Sequence, residues 1–496
     1  MKIKFGTGGI RGIMGEGEEQ LNKRVIQKVT LGVSFYLKKM TDNPKVAICY
    51  DSRNNSRDFA RQAAEVFAFQ GCRVYLSETL MPTPFLSYVI RKEQCDLGVS
   101  ITASHNSKEY NGYKVYNHEG CQITEKAAKK IQQEIENLHK EKIIIEGSFE
   151  DYREKKTIQY ISKENVEDFS RDILTYGFTH KVSEELKVVY SPLNGAGKEC
   201  VCKVLKEKGV KNLFLVPEQS EPNGDFPTCP YPNPEDDRAM EAGIKLCEKK
   251  EAHLFLATDP DGDRVGVAAK RKGKYERLSG NQVGVLLLDY MLRRKKEAGQ
   301  LPENSLILKT IVTTEMVRKI AAKYGILVMD TLTGFKYIGE QVGELEKKGE
   351  LKRFIFGVEE SCGYLIGPYV RDKDGVGAAM MICEMAEEYR KQGKTLWDRL
   401  EELYGEFGYY ETITRTKNCS AEEAKEYMEG LRERLQAGDV LEEFGGKVRE
   451  YRDYRKKQGS LPRANVLKIW FEGGESLVVR PSGTEPKIKF YQEKIV

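Results

Sequence analysis

Three aspartates punctuate the stretch "DPDGDR" (259–264): Asp259, Asp261 and Asp263. Hard carboxylate oxygens so closely spaced suit a divalent cation, Mg²⁺ above all if a phosphate shares its coordination sphere. An EF-hand is the obvious competitor, and its spacing fails. Counted from Asp259, the sixth position should be Gly and is Arg264; the twelfth should be Glu and is Lys270. The segment "RPSGTEPK" (480–487) brings the complementary chemistry. Arg480 can grip an anion through two parallel hydrogen bonds, while Ser482, Gly483 and Thr484 let main-chain N–H groups and hydroxyls converge on a phosphate. In "GVEESCGYL" (357–365), Glu359 and Ser361 offer a carboxylate and a hydroxyl two residues apart, partners for the O–H groups of a sugar.

A fourth loop, "ASHNSKEYNGYK" (103–114), carries Ser104, His105 and Lys114. A serine hydroxyl is a poor nucleophile without a base or metal beside it. No G-x-S-x-G elbow is present, and the chain has only 5 histidines. Set against the metal, phosphate and sugar chemistry of the other loops, Ser104 makes sense as a phosphoryl carrier. Its roughly −1.5 to −2 charge once phosphorylated would be balanced by the Asp-bound cation. At the amino end, "KFGTGGIRG" (4–12) reads as a flexible glycine stretch carrying Arg11 towards an anion. It is not a dinucleotide fingerprint, because Arg11 stands where the last Gly is required; "NGAGKE" (194–199) likewise fails as a P-loop, lacking Ser or Thr after its Lys.

Each loop directly follows an apolar run that reads as a strand: "CDLGVSIT" before Ser104, "AHLFLAT" before Asp259, "RFIFGV" before Glu359 and "SLVV" before Arg480. Ligands of open α/β sheets bind at such carboxyl ends. Around them, apolar runs alternate with amphipathic ones, predicting α/β layers. "KVAICY" (45–50) leads through "DSRNNS" to a helix from about Arg57 to Gln70, with Ser56 as N-cap and Gly71 as stop. The strand–turn–helix pattern restarts near 186 and again near 279. The boundaries expected are 1–155 for a unit with the serine loop, 156–278 for one with the aspartates and 279–403 for one with Glu359. Residues 404–496 read as a smaller α+β unit with the phosphate loop, all four surrounding one cleft.

Length and composition agree. A chain of 496 residues needs several cores, and 80 Lys plus Arg against 76 Asp plus Glu implies no general attraction to nucleic acid. The longest apolar run, "VGVLLLDYM" (283–291), is too short and interrupted for a membrane span, and "MKIKFGTGG" lacks the apolar core of a signal peptide. Eleven cysteines without a C-x-x-C pair point to reduced, mostly buried thiols and a cytoplasmic location. Nothing in the chain specifies an oligomeric state.

"TASHN…NGYK", "DPDGDR", "E-x-S" and "RPSGTEP", in that order, resemble the α-D-phosphohexomutases, the family of phosphoglucomutase and phosphomannomutase. The resemblance covers essentially the whole chain, including "FGTGGIRG" and "TGFKYI" (333–338). It implies a four-domain fold and a reversible shift of phosphate between O1 and O6 of a hexose. Ser104 would carry the phosphate, with Mg²⁺ held by Asp259, Asp261, Asp263 and a phosphoserine oxygen. A 1,6-bisphosphate would be the intermediate and glucose 1,6-bisphosphate the activator. By the same likeness, His105, Lys114 and Arg11 would serve the transferring group. Arg264, Thr333, Gly334, Lys336, Glu359 and Ser361 would contact the sugar phosphate, and Arg480, Ser482, Gly483 and Thr484 its distal phosphate. The expected substrates are hexose phosphates, those of glucose first, with mannose or pentose phosphates as the alternative.

Two departures stand out. Ser107 occupies a place where the family commonly has Pro, which should loosen the serine loop slightly. Cys362 intervenes between Ser361 and Gly363, which makes "EES-x-G" more similar to the branch of bacterial phosphoglucomutases and phosphopentomutase-like members.

Overall fold

The computed structural model describes residues 5–6, 8–17, 19–138, 145–456, 461–482 and 487–495. Its first sheet runs in the order Gly9–Ile13, Tyr110–Asn117, Leu97–Ile101, Lys45–Tyr50, Arg73–Leu76, Ile158–Tyr160. The strands Leu97–Ile101, Lys45–Tyr50, Arg73–Leu76 and Ile158–Tyr160 are parallel. Leu97–Ile101 is buried throughout, as a strand covered on both faces must be. The second sheet runs Lys274–Leu278, Val265–Arg271, Leu254–Thr258, Lys187–Ser191, Asn212–Leu215, and the third Leu327–Thr331, Leu306–Thr310, Phe354–Glu359, Gly363–Leu365. The last sheet, Tyr410–Asn418, Lys487–Ile495, Ser476–Pro481, Leu467–Phe471, Val448–Asp453, is antiparallel and packs on the helix Ala421–Ala437.

Two local expectations are corrected. The amino-terminal glycine stretch is a strand rather than a flexible arm: Gly9–Ile13 pairs antiparallel with Tyr110–Asn117, Arg11 opposite Gly112. Its glycines answer to packing. Gly9 has φ +142° and a Cβ there would lie 1.9 Å from the Tyr113 carbonyl oxygen; one on Gly112 would lie 2.5 Å from that of Thr102. The helix Ser56–Phe69 is capped by Asn55, with φ 64°, and Ser56 is its first residue. The Ser56 hydroxyl donates instead to Asp51 Oδ1 at 2.7 Å, because a buried carboxylate needs the donor more than an accessible helix end does. Gly71 does stop this helix, at φ +82°.

One apolar core runs through the first three units, from Phe85 and Val89 through Tyr190 and Leu205 to Leu286, Phe356 and Met381. The run "VGVLLLDYM" lies in the middle of it, on the helix Gly280–Glu297, which is buried nearly all round; so is Gly375–Lys391. No helix of the described residues is long and apolar enough to cross a membrane. All eleven cysteines are free thiols, and only Cys202 and Cys419 reach even partial exposure.

A buried ion pair, Lys208–Glu384, ties the second unit to the helix Gly375–Lys391. Glu384 Oε1 also accepts from the amides of Phe178 (2.7 Å) and Thr179 (3.0 Å) and from the Tyr290 hydroxyl (3.0 Å). Glu384→Gln would strand the Lys208 ammonium away from water, so we expect a loss of about 3 kcal/mol, seen as a lower thermal unfolding midpoint. The double variant Lys208→Met/Glu384→Gln should regain most of it.

Candidate functional site

All four chemical loops are built by one device. In the first three units a buried parallel strand ends, the loop follows, and an antiparallel strand returns: Leu97–Ile101 to Tyr110–Asn117, Leu254–Thr258 to Val265–Arg271, Phe354–Glu359 to Gly363–Leu365. The fourth loop joins the antiparallel strands Ser476–Pro481 and Lys487–Ile495. Each of the first three takes its turn through left-handed backbone: Ser104 at φ 52°, Gly262 at 65°, Cys362 at 59°. The chain thus reverses within a few residues and leaves the loop side chains at the end of the sheet.

Main-chain bonds then bring the loops of different units together. The Thr83 amide, at the start of the helix Thr83–Lys92, donates to the Asp261 carbonyl at 2.8 Å. The Val265 amide donates to the Cys362 carbonyl at 3.1 Å. Serine, aspartate and glutamate loops therefore face one cleft.

Ser104 is buried, and its hydroxyl donates to Asp259 Oδ2 across the seam between units at 2.7 Å. His105 Nδ1 lies 3.2 Å from the same Oγ. Burial and the charges of Arg264 and Arg11 hold the His105 imidazole well below its ordinary pKa, so it is neutral at pH 7. Arg11 Nη1 donates to Asn106 Oδ1 at 2.8 Å, which places its guanidinium over the serine loop.

The three aspartates are buried, with one oxygen of each within 4.8 Å of the others. Burial and its two neighbours push Asp259 well above the carboxylate range. Burial would raise Asp261 too, but Lys114 overcomes it and holds this carboxyl below its usual range. Lys114 Nζ sits 2.6 Å from Asp261 Oδ2 and 3.4 Å from Asp263 Oδ2. Lys373 Nζ sits 2.8 Å from the same Asp263 oxygen. The inner oxygens Asp261 Oδ1 and Asp263 Oδ1 are buried and have no hydrogen-bond partner. Three clustered carboxyl groups, two of whose oxygens are buried without a hydrogen-bond partner, make an all-oxygen cage that fits a hard divalent cation.

Arg264 joins the aspartate and glutamate loops. Its Nη1 is 3.7 Å from Glu235 Oε2, its Nε 3.9 Å from Asp263 Oδ1, and Glu359 is the strongest of the acids that raise its pKa against burial. Ser361 donates to Glu359 Oε1 at 3.0 Å, so the pair expected to hold sugar hydroxyls is in place; burial raises the Glu359 carboxyl.

The remaining residues lie further round. Thr333 has a buried hydroxyl without a partner, and Gly334 caps the helix Phe335–Lys347 at φ +116°. Lys336 packs over the Tyr337 ring at 5.0 Å, and burial lowers its pKa, with Glu125 the strongest acid acting against that. Arg480 Nη2 donates to the Tyr491 hydroxyl at 3.3 Å and acts electrostatically on Glu360 and Tyr337. The Ser482 amide bonds the Lys487 carbonyl at 2.8 Å and closes the hairpin; Gly483 and Thr484 lie outside the described residues.

Lys373 is a site residue that motif reading missed. The signal was there: "RDKDG" (371–375) sets a lysine between two acids just before a helix. Its distance in sequence from "DPDGDR" concealed the contact. Glu235 and Glu360, half-buried acids that burial raises and that interact with Arg264 and Arg480, also went unnoticed.

Comparison with known proteins agrees with this geometry. Models of the phosphoglucomutase/phosphomannomutase alpha/beta/alpha domains I, II and III and of the C-terminal domain match residues 2–142, 166–273, 279–407 and 418–494, in that order. A phosphoglucomutase of Staphylococcus haemolyticus is 35% identical over 502 residues, spanning 99% of this chain and 90% of that protein. Two solved structures share the fold. The phosphoglucomutase pp63/parafusin of Paramecium, in an open form, gives a TM-score of 0.76 at 19% identity over 99% of this chain and 90% of its own. An N-acetylphosphoglucosamine mutase of Aspergillus fumigatus, in complex with glucose 1,6-bisphosphate, gives 0.53 at 12% over 100% and 92%.

Proposed function

Since this chain belongs to the phosphoglucomutase/phosphomannomutase family, we propose that it interconverts α-D-glucose 1-phosphate and glucose 6-phosphate. The route runs through a phosphoserine at position 104 and a 1,6-bisphosphate intermediate. The observation that carries this reading is the 2.7 Å approach of Ser104 Oγ to Asp259, within a cluster of three buried aspartates contributed by another unit.

In this mechanism phosphoserine 104 donates its PO₃ unit to the free hydroxyl of a bound hexose monophosphate. The acceptor oxygen forms the new P–O bond and gives up its proton, while the bond to Ser104 Oγ breaks and that oxygen takes up a proton. The neutral His105 imidazole is the group beside Oγ suited to hold a proton. Lys114, held as ammonium because Asp261 and Asp263 outweigh its burial, orients and balances the transferring group, with Arg11 on the other side. Mg²⁺ held by Asp259, Asp261, Asp263 and a phosphoserine oxygen would neutralise charge on the moving phosphoryl group. Glu359 and Ser361 accept sugar hydroxyls, Arg264 and Lys373 lie between them and the aspartates, and Arg480 with Ser482, Gly483 and Thr484 holds the distal phosphate. Thr333, Gly334 and Lys336 complete the wall beside that phosphate. The bisphosphate then turns, and its other phosphate returns to Ser104. The burial of Ser104 keeps water from the phosphoserine, which favours a mutase over a phosphatase. Glucose 1,6-bisphosphate, the ligand of the Aspergillus relative, would serve as activator.

The test compares turnover of the purified protein with Mg²⁺ on the 1-phosphates of glucose, mannose and ribose, primed with glucose 1,6-bisphosphate. Fastest formation of glucose 6-phosphate is expected, together with an intact-mass gain of one phosphoryl group placed on Ser104. Faster turnover of mannose or ribose phosphate would move the chain to that specificity. Phosphate release outrunning isomer formation would overturn the mutase reading.

A further inference from the structure

Immediately after the strand Lys45–Tyr50, "DSRN" (51–54) puts an ion pair, Asp51 and Arg53, into the floor of the site. Both side chains are completely buried, 3.4 Å apart between Arg53 Nε and Asp51 Oδ2. The arginine fork is spent on the serine loop. Nη2 donates to the carbonyls of Ser104 (2.6 Å) and Asn106, and Nη1 to those of Ser107 (2.8 Å) and Tyr110 (3.1 Å). On the other side the Phe226 ring, from the unit that supplies the aspartates, stacks 5.0 Å from the guanidinium carbon. The same segment of that unit meets the first unit again, where Asn54 Nδ2 donates to Asp225 Oδ1 at 3.3 Å.

We propose that Arg53, aimed by Asp51, is a positioning residue for phosphoryl transfer. It gathers main-chain carbonyls of the serine loop and so keeps Ser104 in the left-handed conformation that points Oγ at Asp259. This rests on the reading of Ser104 as the phosphoryl carrier. Converging carbonyl oxygens repel one another unless one donor group serves them all, and among side chains only guanidinium has a planar fork of five N–H donors. Ser104 also sits at a backbone angle (φ 52°) that a non-glycine residue adopts only when its surroundings impose it. Thr102 Oγ1, which accepts from the Ser104 amide at 2.8 Å, holds one side of that turn; the arginine holds the rest. Phe226 fixes the guanidinium relative to the second unit, so the carrier loop is set against the aspartate loop through a single cation. No substrate group needs to touch Arg53.

Arg53→Lys keeps the charge and loses the fork. The serine loop would then be misplaced by a fraction of an ångström to an ångström, so kcat should fall about 100-fold while KM for glucose 1-phosphate stays within about threefold. Amide hydrogen exchange across 102–112 should quicken at least about tenfold while the sheets keep their protection. In Arg53→Ala, added guanidinium should restore activity about tenfold over equimolar methylammonium, which brings charge without the fork. A folded Arg53→Lys protein with kcat within about threefold of wild type, or with unchanged exchange in 102–112, overturns the proposal, as does a loss carried by KM alone. Equal rescue by both cations overturns it too. If neither Arg53 variant folds, Phe226→Leu decides. With the fork intact and its backing gone, it should lower kcat about five- to tenfold at constant KM, and no change overturns the proposal. Wild-type protein inactive on every hexose phosphate would sink the functional reading instead; the exchange comparison would still decide the clamp.

Discussion

Ser104→Ala is expected to leave a folded protein that binds glucose 1-phosphate and does not isomerise it. Asp259 Oδ2 would lose its donor at 2.7 Å without gaining a nucleophile. Removing the group that forms the covalent intermediate abolishes both half-reactions, so kcat should fall by about 10⁵ or more, roughly 7 kcal/mol of barrier. The proposed sugar and distal-phosphate contacts, Glu359, Ser361 and Arg480, lie on other units, so substrate affinity measured by calorimetry should hold within about threefold. Incubation with glucose 1,6-bisphosphate should add no mass to the variant. Turnover within about tenfold of wild type would remove Ser104 from the role of carrier.

The second large effect concerns the aspartates. Stripping divalent cations with a chelator should lower turnover by about 10³ or more, and Mg²⁺ should restore it, because Lys114 and Lys373 are already paired with the aspartates and leave much of the charge of a phosphoryl group to be offset by the cation. Asp263→Ala should lose as much and not be rescued. Asp263 is the residue to choose, since both Lys114 and Lys373 lean on one of its oxygens while the other is buried without a hydrogen bond. A readout independent of turnover is the thermal unfolding midpoint. Mg²⁺ should raise it in wild type, as any ligand of the native state does, and leave it unmoved in Asp263→Ala. An unaltered rate after chelation, or the same Mg²⁺-induced shift in both proteins, would contradict the cation site.

Much of this site was legible from the chain because its signals are local. An apolar run followed by three alternating aspartates, or by Ser-His-Asn, announces a strand end and its chemistry within ten residues. What escaped notice depends on contacts between distant segments. Lys373 reaches Asp263 from beyond a hundred residues, and Arg53 reaches the serine loop from another strand end. The strand Gly9–Ile13 read as flexible because glycines weaken the strand pattern; they are required by the close approach of Tyr110–Asn117. Ser56 looked like a cap because its neighbours fit one, and a buried carboxylate claimed its hydroxyl instead.

The junctions between neighbouring units have a consequence for descent. Thr83 to Asp261 and Val265 to Cys362 are joined amide to carbonyl, and every residue but proline supplies the amide. Drift in side chains therefore cannot unpick them, and the cleft can persist while the text around it is rewritten. A shared architecture at 19% identity is what that immunity would leave behind.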